Sequence, residues 1–89
     1  MIIEFDKKCS KQRKREIVNA LWFAKDQLLP RIRKPILINI IPVRGLLEKT
    51  GVYGDCMDEE DREFTIRIDT KLPIIDMVTT LLHEMVHVQ

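Results

Sequence analysis

Residues 36–41 read Ile-Leu-Ile-Asn-Ile-Ile, a run that offers apolar side chains to both sides of an extended chain. A strand with one wet face alternates apolar and polar residues, whereas one buried on both faces reads as a near-continuous apolar run. The run therefore predicts a central strand covered on both sides, with Pro42 as its stop. In a chain of 89 residues, everything else must supply that cover. Such a length predicts one domain over residues 1–89 with a thin core, whose stability would be marginal or assisted by a metal or a second subunit.

The flanking segments take up complementary roles. Residues 1–5 are short and β-branched, which predicts a strand. Ser10 is placed to cap a helix running to about Leu29, where Pro30 ends it. Ile17, Leu21, Ala24 and Leu28, beside Val18 and Trp22, give that helix an apolar stripe of period 3.6. Residues 43–51 read as a connection with Leu46 and Leu47 tucked beneath it. Residues 53–57 can form a strand, and residues 64–69 alternate like one, with Phe64, Ile66 and Ile68 on one face. The acidic run 58–63 between them reads as a polar hairpin loop. Pro73 then suits the first turn of a last helix reaching Gln89. The predicted class is α+β, in the order strand, helix, three strands, helix, with a mixed or antiparallel sheet.

Composition excludes several alternatives. Apolar residues make up 45% of the chain and charged residues 33%, the mix of a water-soluble fold rather than a disordered one. The longest apolar-rich stretch, residues 72–88, carries Asp76, Glu84, two Thr and two His, too polar for a membrane span. Glu4 and Asp6 interrupt the first residues before a secretory core could form, so the expected compartment is the cytoplasm. Cys9 and Cys56 do not make the dense framework of a small secreted domain, and are expected as reduced thiols.

The net charge of +1 hides an asymmetry. Residues 1–49 hold twelve Lys/Arg against five Asp/Glu, and residues 50–89 hold three against nine. The basic excess peaks at Lys7, Lys8, Lys11, Arg13, Lys14 and Arg15, with a second group at Arg31, Arg33 and Lys34. Clustered cations release counterions from nucleic acid, so Lys11, Arg13, Lys14 and Arg15 are candidate phosphate contacts. No aromatic residues interleave with them to stack on bases, which favours the plainer reading of a solvated face attracted to the acidic half.

The last helix contains His83-Glu84-Met85-Val86-His87, the HExxH pattern of zinc metallopeptidases. Residues four apart on a helix differ by ~40° in direction, so both imidazoles project from one face and can share one zinc ion. Glu84 lies ~100° round, beside the metal, where a carboxylate can take the proton of a metal-bound water. Asp76, Thr80 and His87 share the side of His83, while Ile74, Val78, Leu81, Met85 and Val88 fall on the opposite, core-facing side. Asp76 reads as a charge favoured by the helix dipole, Met85 as core, and Cys56 as a half-buried strand thiol. A catalytic zinc usually has three protein ligands. The sequence stops two residues after His87, so a third donor is expected from Cys56, Asp55, another acidic side chain, a second subunit or solvent. The expectation is a domain truncated after the HExxH helix, holding zinc weakly and weakly active or inactive.

Gly51-Val52-Tyr53-Gly54-Asp55-Cys56, Phe64-Thr65-Ile66-Arg67-Ile68-Asp69 and residues 80–89 with the HExxH motif together resemble the N-terminal part of SprT-like zincin metallopeptidases, especially the small ones common in tailed phages. The resemblance implies a zincin-like fold, one zinc ion held by His83 and His87, and Glu84 as general base. It also implies an edge strand, here Tyr53, Gly54, Asp55, Cys56 and Met57, that pairs with an extended protein or peptide substrate. Some SprT-like proteins degrade DNA-bound proteins, which by analogy would give the basic half a purpose. The alternative is a zincin-like binding module for nucleic acid or a protein partner, without catalysis. Neither substrate nor oligomeric state follows from the sequence.

Overall fold

The computed structural model describes residues 1–28 and 35–88. Its elements are β1 (Ile2–Phe5), α1 (Lys11–Leu28), β2 (Leu37–Val43), α2 (Leu46–Thr50), β3 (Gly54–Glu60), β4 (Glu63–Asp69) and α3 (Ile74–Val88). They build a compact α+β fold with one four-stranded mixed sheet, in the order β1-β2-β4-β3. β1, β2 and β4 run parallel, and β3 is antiparallel to β4 at the edge. The predicted ends at Leu29–Pro30 and Gln89, and the cations Arg31, Arg33 and Lys34, lie outside the described residues.

Helix α1 begins where the sequence places its cap: the Arg13 backbone N–H donates to Ser10 Oγ at 3.1 Å. Its buried stripe is Ile17, Ala20, Leu21 and Ala24, whereas Trp22 is 42% exposed and carries the Lys25 ammonium 5.9 Å from its ring. Helices α1 and α3 share one core with the even-numbered residues of the sheet, Ile38, Ile40, Ile66 and Ile68, each fully buried.

Strand β2 is central, but its other face is covered less than the apolar run predicts. Leu37, Asn39, Ile41 and Val43 are only half-buried, because both long helices pack on the opposite side. Pro42 does not stop the strand, which continues to Val43. In a parallel pair the N–H and C=O of one residue point to the same neighbour. The Asp6 N–H donates to Ile40 O at 2.9 Å, so residue 42 also faces the β1 side. Strand β1 has already ended at Phe5, opposite Ile40, so the missing N–H of Pro42 costs no ladder bond.

The connection after β2 contains the short helix α2, flanked by Gly45 and Gly51 in the left-handed region at φ 83° and 81°. Leu46 is buried beneath it, as expected. Gly45 has no side chain with which to cap α2. Asp69 supplies the cap from the end of β4, accepting the Gly45 N–H at 2.9 Å and the Leu47 N–H at 3.0 Å.

The acidic run is not a loop. Asp58, Glu59 and Glu60 extend β3, Glu63 opens β4, and only Asp61 and Arg62 turn between them. Two residues suffice because Arg62 takes a left-handed φ of 65°, and a register shift between Asp58 and Glu60 absorbs the mismatch. Tyr53 falls just before β3, where its carbonyl accepts the Asp69 N–H at 3.0 Å. On α3 the buried residues are Met77, Leu81, Glu84, Met85 and Val88, while the expected core residue Ile74 is 46% exposed. The buried face is turned roughly 40° towards His83 relative to the apolar pattern. Glu84 is carried inward by that rotation.

Candidate functional site

The carboxyl-terminal turns of α3 lie against the edge strand β3, and Gly54 sets how closely. A Cβ at Gly54 would stand 2.7 Å from the Arg67 carbonyl oxygen and 2.9 Å from Thr80 Cγ2, so only glycine admits the helix at this distance. Thr80 keeps its methyl turned to the strand because its hydroxyl donates back to Asp76 O at 2.7 Å.

One turn further on, His83 and His87 are both exposed, with ring centroids 5.4 Å apart and planes at 83°. Glu84, only 7% exposed, turns from the same helix into a cleft of about 380 Å³ against β3. Asp55, Cys56, Asp58 and His87 complete the lining. The structure thus brings Glu84 and His87 together with the expected strand residues Asp55 and Cys56. His83, Tyr53, Gly54 and Met57 do not line the cleft, although Gly54 fixes its depth. Asp58 joins it because β3 runs further than the sequence pattern indicates.

The cleft is acidic, and its groups are differently engaged. Arg67 holds Asp55 from the neighbouring strand, with Nε donating to Oδ1 at 2.9 Å and Nη2 donating to Oδ2. That hydrogen bond, set against a smaller opposing effect of burial, keeps the Asp55 carboxyl below its usual value. Burial and the carboxylates of Glu84, Asp58 and Asp55 push the Cys56 thiol up to about 11. Cys56 is therefore a protonated, half-buried thiol, and like Cys9 it is free. Among the described residues, no group of three or more His, Cys, Asp or Glu is arranged to hold a metal ion. Of the expected third donors, Asp55 is paired with Arg67, and Cys56 lies half-buried in the cleft.

The candidate phosphate contacts separate. Lys11, Lys14 and Arg15 are exposed on the first turns of α1, with the Lys14 ammonium 5.3 Å from the centre of the Phe5 ring. Arg13 turns inward, donating to Leu72 O at 2.8 Å and pairing with Glu16 at 3.2 Å. Attraction between the basic and acidic halves is slight among the described residues. Lys71 reaches Glu48 at 2.6 Å, and no ion pair joins α1 to the acidic stretch of β3.

Among the described residues no helix is long and apolar enough to cross a membrane. Comparison of the chain with known protein families, with curated proteins and with solved structures finds no match.

Proposed function

We propose that the chain is a zinc-dependent metallopeptidase of the SprT-like zincin type, with His83 and His87 as metal ligands and Glu84 as general base. One observation carries the reading: a buried carboxylate faces a cleft on an edge strand while two imidazoles stand one turn apart on the same helix. The donor set fits zinc in part, with two nitrogen ligands on one exposed face and the third left to a group outside this set. Zinc, when bound, would polarise the peptide carbonyl under attack.

The chain's own groups do the rest. Glu84 accepts a proton from the attacking water and returns it to the leaving amine. Among the described residues strand β3 pairs only with β4, so its outer N–H and C=O groups are open to an extended peptide, which would lie beside Glu84. The lack of a third assembled donor favours a second reading, a zincin-like binding module that captures a peptide on this edge without cleaving it.

Zinc titration of the chain and of its His87→Ala form, alongside a peptidase assay of Glu84→Gln, tests both. The metallopeptidase reading expects weak zinc binding that falls at least about tenfold in His87→Ala. It also expects Glu84→Gln to keep zinc and lose turnover. Equal zinc uptake by His87→Ala, or undiminished cleavage by Glu84→Gln, would remove these residues from the mechanism. Peptide capture without zinc and without cleavage would select the module.

A further inference from the structure

The three parallel strands end along one rim of the sheet, at Phe5, Val43 and Asp69. The segments that leave them meet the start of α1 and enclose a cleft of about 450 Å³. Lys8, Arg13, Arg44 and Lys71 line it, with the hydroxyls of Ser10 and Thr70, and no carboxylate is among its lining residues. Four cations from three separate stretches of sequence thus converge on one concavity. In open α/β sheets ligands sit outside the carboxyl ends of the parallel strands, and this cleft has the same place on a mixed sheet.

The neighbouring carboxylates are held elsewhere. Asp69 is buried and accepts three backbone N–H groups. Asp6 accepts from Asn39 Nδ2 at 2.8 Å, and Glu16 pairs with Arg13. Glu48 reaches Lys71 only through a pair more than half exposed on both sides, which an incoming anion can displace. Lys8 and Arg44 have no hydrogen bond or ion pair to another side chain among the described residues. Arg13 is already anchored by Leu72 O and Glu16, so its charge is fixed in place before any ligand arrives.

We propose that this cleft binds a phosphate group, with Lys8, Arg44 and Lys71 supplying charge contacts, Arg13 a fixed positive charge, and Ser10 and Thr70 hydrogen bonds. A multiply charged anion with several acceptor oxygens suits such a lining better than a carboxylate does. The cleft shares no residue with the one at Glu84. The Glu84 cleft runs beside β4 from Phe64 to Arg67, on the β3 side, whereas the phosphate cleft lies beyond the end of the strand at Thr70 and Lys71. The proposal is independent of metal and of peptide cleavage. The phosphate can be free or the terminal group of a nucleic-acid strand, and both present the same chemistry.

The test is an amide NMR titration of the full chain with inorganic phosphate at fixed ionic strength. Saturable shifts are expected at Ser10, Lys11, Gln12, Arg44 and Thr70. Arg44→Ala and Lys8→Ala should each weaken binding about tenfold, since each removes one charge-assisted contact. Arg44 is exposed and has no side-chain partner among the described residues, so its variant should fold normally. Lys25→Ala, at the far end of α1, should change nothing. A terminally phosphorylated oligonucleotide that binds more tightly than both inorganic phosphate and its hydroxyl-ended counterpart identifies a strand end as the source. Equal affinity for inorganic phosphate and the phosphorylated strand identifies the free anion. The proposal is overturned by the absence of saturable shifts below physiological ionic strength. It is equally overturned by shifts spread over all basic side chains that Lys25→Ala weakens as much as Arg44→Ala.

Discussion

Asp69 ties the end of β4 to the start of α2, and its replacement by asparagine should cost far more than a surface change of similar size. The carboxylate is 2% exposed. Its Oδ1 accepts the N–H groups of Gly45 at 2.9 Å and Lys71 at 2.8 Å, and its Oδ2 accepts that of Leu47 at 3.0 Å. In Asp69→Asn one oxygen can keep the first two donors, but the new amide then faces the Leu47 N–H, donor against donor. Losing one charge-assisted bond in a buried place costs about 2–3 kcal/mol. In a domain of this size that lowers Tm by about 10–20 °C. Asp69→Ala strips all three donors and should cost about 3–4 kcal/mol, a large share of the whole stability.

The pH dependence carries a second signature of the same carboxylate. Burial pushes Asp69 upward, but the backbone N–H groups of Leu47, Lys71 and Gly45 outweigh it and hold the carboxyl below its ordinary value. Its contribution is therefore fully present above the unfolded value of ~3.9 and is lost as pH falls through the lower folded value. Urea and thermal melts followed by circular dichroism should show a gap between wild type and Asp69→Asn that is constant near neutrality and closes in acid. A variant within about 0.5 kcal/mol of wild type at pH 7, or a gap that ignores pH, would refute the reasoning.

Two further perturbations probe the helix–strand contact and the acidic cleft. Gly54→Ala should cost about 1–3 kcal/mol, because the new methyl meets the Arg67 carbonyl oxygen and Thr80 Cγ2. Adding Thr80→Ser should recover only part of that loss, since the backbone clash stays, and a neutral Gly54→Ala in thermal melts would show that α3 stands further from β3. With its thiol pushed up to about 11 by burial and three carboxylates, Cys56 should alkylate about tenfold more slowly in the native chain than in urea at pH 8, the lower thiolate fraction being partly offset by its greater nucleophilicity. Glu84→Gln should speed it by removing one of those charges, and equal native and denatured rates would contradict the cleft's geometry.

What the sequence discloses and what it hides divide along the range of the interactions. Local signals are legible: the Ser10 cap, the alternation of Phe64, Ile66 and Ile68, and the one-turn spacing of His83 and His87. Features set by distant partners are not. Nothing local says that Pro42 looks past the end of β1, nor that Asp69 caps a helix whose own cap residue is a glycine. The acidic stretch 58–60 reads as a loop by composition, yet it forms an edge where charged side chains have solvent to themselves. The inward turn of Glu84 depends on the exclusion of Ile74, a packing choice made between α1, α3 and the sheet. The basic cleft is invisible in the chain order, since Lys8, Arg44 and Lys71 are neighbours only once three strands run parallel.

Strand β3 carries Asp55, Asp58, Glu59 and Glu60 and no basic residue along an edge that, among the described residues, has no strand beyond it. Two copies joined edge to edge would bring the carboxylates of Asp58, Glu59 and Glu60 close to a second acidic row, so self-assembly into a continued sheet is opposed at the place where the backbone invites it. The repulsion is electrostatic and fades with salt, on a scale of about 8 Å at physiological ionic strength. The same field would favour a cationic extended segment over an anionic one. By its charge the edge thus discriminates between segments that its backbone alone would treat alike.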